Sequence, residues 1–121
     1  DVVAHAEELV ELQRTVLAII TAPDVVRYAV EVVSRTRPAS EAAPELVQRY
    51  VSWGAGPRAS QHLILAAKAR AALQGRPHAS REDVASLAPA VLRHRVLTTY
   101  QAEAQGVGPA ELIAAVLESL G

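Results

Sequence analysis

Cysteine, phenylalanine and methionine are all absent from this sequence. Without cysteine there can be no disulfide, no thiolate nucleophile and no Cys-ligated metal. Aromatic residues are scarce too: Trp53, Tyr28, Tyr50 and Tyr100 are the full set. Alanine, valine and leucine are abundant, so the core must be made of small side chains on closely spaced backbones. There is no excess of charge of either sign. A net charge of −1 argues against a general nucleic-acid binder, which shows a basic face, and so against a helix-turn-helix DNA-binding reading. No apolar run approaches the roughly 20 residues that span a bilayer. The histidines, His5, His62, His78 and His94, never fall three or four apart, so no helix offers a pair of them to a metal. The opening residues are acidic and lack a signal-peptide pattern. They start inside a helical pattern, as a piece of a longer cytoplasmic protein would.

With 121 residues the chain fits one domain, residues 1–121. A domain of this size buries about two-thirds of its unfolded surface. Apolar residues recur at helical spacing over residues 2–19, at Val2, Ala6, Leu9, Val10, Leu12, Val16 and Leu17. Thr21 and Asp24 frame a capping box with Pro23 in the first turn. Residues 25–36 are valine-rich, but the spacing of Val26, Ala29, Val30 and Val33 favours a helix over a strand. A loop over residues 38–44 precedes a two-turn helix marked by Leu46, Val47, Tyr50 and Val51.

The longest helix-forming stretch runs over residues 57–74 and is closed by Gly75. Ser80 and Asp83 frame another start. The stripe that follows, Val84, Leu87, Ala88, Val91 and Leu92, holds Pro89, where a kink is expected. After Arg95 the pattern weakens. Residues 106–109 turn, and Leu112, Ile113, Val116, Leu117 and Leu120 mark a last helix. Residues 76–79 and 95–97 are the extended candidates and are expected to pair as one tiny two-stranded patch. The class is all-α, a small bundle of about five to six helices.

One helix start runs against electrostatics. Acids suit the positive end of a helix, and Asp24, Glu45, Glu82, Asp83 and Glu111 all occupy first turns. The helix at Pro57 begins instead with Arg58, after a loop whose Gly56 provides no side-chain cap. That placement costs a few tenths to about 1 kcal/mol. An external anion accounts for it: free N–H groups, a guanidinium and glycines that permit close approach form a phosphate site. Gln61 and His62 lie one turn on, on about the same side. The alternative is an outward Arg58 paired with a surface carboxylate.

The stretch Tyr50-Val-Ser-Trp-Gly-Ala-Gly-Pro-Arg-Ala-Ser60 resembles the Gly-Ala-Ser/Gly-Pro-Arg-Ala segment of MoxR-family AAA+ ATPases, which contains their sensor-2 arginine. The resemblance extends over the chain through Ser34-Arg-Thr-Arg-Pro38, Ala67-Lys-Ala-Arg70, Ser80-Arg-Glu-Asp-Val84, Pro89-Ala-Val-Leu-Arg-His-Arg95 and Ala102-Glu-Ala-Gln-Gly106. It implies the C-terminal helical lid of such an ATPase, without the large nucleotide-binding domain. It further implies that Arg58, with Gly56, Pro57 and His62 beside it, meets the γ-phosphate of Mg-ATP held mainly by that large domain. The implied partners are that domain, neighbouring subunits of a ring of six, and client proteins with von Willebrand factor A domains. No G-x-x-x-x-G-K-S/T phosphate loop is present, so hydrolysis is expected of the parent and not of this piece alone. The rival reading is a free-standing helical adaptor for protein partners that binds no nucleotide.

Other marked residues read as structural. Trp53 is expected to pack as core against the glycine loop, the alternative being an edge toward an adenine pocket. Arg93, His94 and Arg95 suit a solvated helix end, or a contact with a neighbouring subunit or domain. Glu7 with Glu8 and Glu41 with Glu45 read as solvated faces, and Ser34, Ser52 and Ser60 have no His base nearby in sequence.

Overall fold

The computed structural model describes residues 6–121. Seven helices and four short strands follow in the order α1 (Ala6–Ala18), β1 (Ile20–Thr21), α2 (Pro23–Ser34), α3 (Glu45–Tyr50), β2 (Val51–Trp53), α4 (Arg58–Leu73), β3 (His78–Ala79), α5 (Arg81–Leu92), β4 (Leu97–Thr98), α6 (Tyr100–Ala104) and α7 (Pro109–Ser119). The all-α class holds, with one more helix among the described residues than the upper expectation. The addition is α6, capped by the Thr99 side chain, which accepts from the Ala102 N–H. Its single apolar turn is too short to show a period.

α4 is the central element and packs against α1, α2 and α5. Its buried residues, Ala59, Leu63, Ala67 and Ala71, recur every four positions, so three of the four knobs are methyl groups. The stripe lets α5 approach through Val84, Ala88 and Leu92, and α2 through Ala29, Val32 and Val33. Leu112, Ile113 and Val116 of α7 close the core from the other side, against α3 and α5. Gly75 ends α4 with φ at +71°, a conformation in which a Cβ is strained. There the Gly75 and Arg76 N–H groups bond back to the Ala72 and Ala71 carbonyls, a Schellman closure.

Several expectations are corrected. The extended segments are real but do not pair with each other. β3 lies parallel to β1, with His78 opposite Thr21's neighbour Ile20, whereas β4 runs antiparallel to β2. There are therefore two patches and not one. Extended pairing also takes Val51 out of the short helix and into β2. Thr21 does not cap α2: it is held in β1, the cap falls on Ala22, and the buried Thr21 Oγ1 has no hydrogen-bond partner. The Ser80–Asp83 box forms as read, with both reciprocal bonds present. Pro89 sits within α5, which continues past it to Leu92. Val2 and His5 lie outside the described residues. The rest of the first stripe forms α1, yet α1 buries none of its residues, and Leu9, Leu12 and Leu17 are 46–69% exposed.

Candidate functional site

The loop before α4 is fixed by the end of α2. Thr36 is buried; its Oγ1 accepts the Ala55 N–H at 3.0 Å and donates to the Val33 carbonyl at 2.6 Å. Arg37 Nε donates to the Ala55 carbonyl at 3.0 Å. Both backbone groups of Ala55 are thus bound. Gly54 lies so close that an added Cβ would meet the Thr36 carbonyl oxygen at 2.6 Å and Arg37 Cα at 2.8 Å. A side chain there would force the two segments apart. Thr36 and Arg37 were not marked as site residues, because nothing in a linear pattern shows that a helix end clamps a loop some 19 residues later.

This clamp sets the start of α4. Pro57 is the cap residue, already helical at φ −58° and ψ −30°, with no side-chain cap. The helix therefore begins one residue later than expected, and Arg58, not Pro57, opens it. Ala59 N–H bonds to the Gly56 carbonyl at 3.0 Å, and the Ser60 hydroxyl to the Pro57 carbonyl at 2.8 Å. No acid occupies the first turn. Gly56, Pro57 and Arg58 are all exposed. Among the described residues the ion pairs are Glu31–Arg35, Arg70–Asp83 and Arg76–Asp83, so Arg58 makes none. The surface-carboxylate alternative for Arg58 therefore finds no partner among the described residues.

His62, one turn along α4, is half-buried and not free. Arg95 Nη2 lies 2.6 Å from its Nδ1. Trp53 is not core. It is 71% exposed and walls a groove of about 430 Å³ with Arg37, Pro38 and the loop residues Gly54, Ala55, Gly56 and Pro57. An even pleat would put Trp53 on the same face as the buried Val51; the register irregularity between the two residues breaks that alternation and leaves the indole outside.

The buried acid among the described residues, Asp83, is at the other end of α4. Asp83 accepts from Arg70, from Arg76 and from the Ser80 N–H. The Arg76 guanidinium foremost, then the Ser80 and Arg70 bonds, hold its carboxyl well below the usual range against the opposing effect of burial. Asp83 in turn raises the pKa of Arg76. The group joins the α4–β3 corner to α5 and has a structural role.

Residues 43–116 match the family model described as AAA lid domain. The chain belongs to the AAA lid domain family. The lid is also 39% identical over 95 residues to the Mycobacterium tuberculosis protein Chaperone MoxR1, covering 78% of this chain and 25% of that protein. The uncharacterized Bacillus subtilis protein YeaC is 28% identical over 114 residues, 94% of this chain and 33% of its own. A crystal structure of a candidate ATPase from Cytophaga hutchinsonii superposes with a TM-score of 0.89 at 28% identity, over 95% of the lid and 35% of that chain. The lid is therefore of the type found in MoxR-like AAA+ ATPases. It spans only about a quarter to a third of the length of these relatives.

Proposed function

We propose that this lid covers ATP held by the large domain of a parent MoxR-like ATPase, with Arg58 as the sensor-2 arginine that meets the γ-phosphate. The observation that carries the reading is an exposed guanidinium with no carboxylate partner among the described residues, at the start of a helix whose preceding loop is clamped on both sides of Ala55. The clamped loop fixes where the Arg58 backbone starts the helix, so the charge is placed before its ligand arrives, in keeping with electrostatic catalysis. The donor set fits a phosphate: a charged planar fork at a positive helix end, and no acid in that turn. Mg-ATP would supply the bond to be broken, while the phosphate cradle and metal ligands would come from the large domain. Arg58 would add one directed charge, and the lid would add the exclusion of water.

The exposed apolar face of α1 supports the same reading. Leu12, Val16 and Leu17 line a groove of about 400 Å³ together with Leu65 of α4. We take this as the surface turned to the large domain, and the ring of subunits as the setting in which the lid moves. A chaperone-like role for the parent follows from the likeness to Chaperone MoxR1.

The test is Arg58→Ala in the full-length parent. Turnover falls on the order of 10²–10³-fold while the circular dichroism spectrum and melting temperature hold. Unchanged turnover removes the sensor role.

A further inference from the structure

Two basic segments far apart in sequence meet beside Arg58. α5 packs along α4 after a short connection, so the residues that follow α5 return to the start of α4. Arg95 is thereby brought to His62, 33 positions away in the chain, with Nη2 and Nδ1 2.6 Å apart. Arginine has no acceptor, so His62 Nδ1 must accept and its proton must sit on Nε2. His62 is four residues after Arg58 on α4 and faces the same side, where Cβ atoms four apart are about 5–6 Å from each other.

The surroundings contain little to balance this charge. No acid occurs in residues 46–81 or 84–102, which include α4 and the end of α5. Asp83 is already engaged by Arg70 and Arg76 at the far end of α4. Among the described residues neither Arg58 nor Arg95 has a carboxylate within 4.0 Å. Arg93 and His94, both exposed, add to the same basic turn. A guanidinium held by a neutral imidazole keeps its full charge while losing freedom of direction. Two such cations on one face repel unless an anion with several oxygens is shared between them.

We infer that Arg95, oriented by His62, is a second guanidinium that contacts the same phosphate group as Arg58. This rests on the proposed nucleotide-covering role and adds two residues to it. Arg95 is the contact residue, and His62 is a positioning residue that acts through it.

The experiment uses the full-length parent, with a fluorescent ATP analogue titrated at equilibrium and turnover measured in parallel. Arg95→Ala weakens nucleotide binding and raises KM by roughly 10- to 100-fold, the size of one charge-assisted hydrogen bond. Arg95→Lys recovers part of the loss, because a lysine keeps the charge but not the fork. His62→Leu shifts KM in the same direction, and His62→Gln, whose amide oxygen still accepts, restores it. Melting temperature stays level in all four, since Arg95 is exposed and His62 half-buried. If Arg95→Ala and His62→Leu leave affinity and KM unchanged while Arg58→Ala slows turnover, the second guanidinium is refuted and the lid reading stands. If Arg58→Ala is itself silent, the reading beneath it falls, and this inference with it. A third result also overturns it: loss of subunit assembly by Arg95→Ala in nucleotide-free sedimentation, which would make a protein carboxylate the partner.

Discussion

Asp83 has no exposed surface and stays charged, because two guanidinium groups and the Ser80 N–H replace its water. Its folded-state pKa lies below the ordinary 3.8. The unfolded chain therefore binds this proton more readily, and falling pH favours unfolding. The contribution is full at neutral pH and drains away as pH drops below about 4 toward the lowered value. Asp83→Asn removes the cap's charge and leaves Arg70 and Arg76 without their counterion, at a cost of about 3 kcal/mol. Urea midpoints at pH 7 and pH 3 check both points: a large loss at pH 7, and a smaller pH dependence in the variant than in the original. Arg58 is the opposite case. Among the described residues it has no carboxylate partner, so its removal is expected to leave stability level and, under the proposed function, to slow turnover. The sequence alone marked Arg58 through its misplaced sign. It marked Arg95 only as part of a basic helix end, because the contact with His62 depends on a neighbour that only folding provides, and it misjudged Trp53, because an aromatic before a glycine loop reads as core whether the strand turns it inward or outward.

At the scale of elements, α4 shows how composition becomes packing. Its buried positions are alanine but for Leu63, and that is why α5 and α2 come close to it. Ala67→Leu places extra methylenes between closely approached backbones and costs about 1–3 kcal/mol. The outcome is read from a lowered urea midpoint with an unchanged slope; an unaltered midpoint would mean that α4 has room to spare. Helix caps were legible unevenly. Ser80 with Asp83 forms its box because Ser80 lies just outside β3 and the Asp83 carboxylate accepts the Ser80 N–H alongside Arg70 and Arg76. Thr21 with Asp24 has the same local pattern, but pairing of β1 with β3 holds Thr21 extended and shifts the cap to Ala22. The strands were visible as extended segments while their partners were not, since a two-residue strand has no period and a partner is a matter of distant contact.

For the whole molecule, the exposed face of α1 is the feature left uncovered among the described residues. Leu17 is 69% exposed and Leu65 of α4 51%. Leu17→Asp should change the lid's own unfolding by no more than about 0.5 kcal/mol, as for other surface substitutions. In the parent it should cost about 1.5–3 kcal/mol of contact with the large domain, seen as reduced turnover at equal protein. Equal loss of stability in the lid itself would show that the side chain is already packed. Helix periodicity, glycine closure and the order of the Gly-Ala-Gly-Pro-Arg segment determined the class, most of the elements and the family, because these depend on neighbours within about four residues. The clamp on Ala55, the pairing of four short strands, the outward Trp53 and the meeting of Arg95 with His62 were decided only by the tertiary structure. Each is a contact between segments that chain entropy keeps apart until the shared core brings them together.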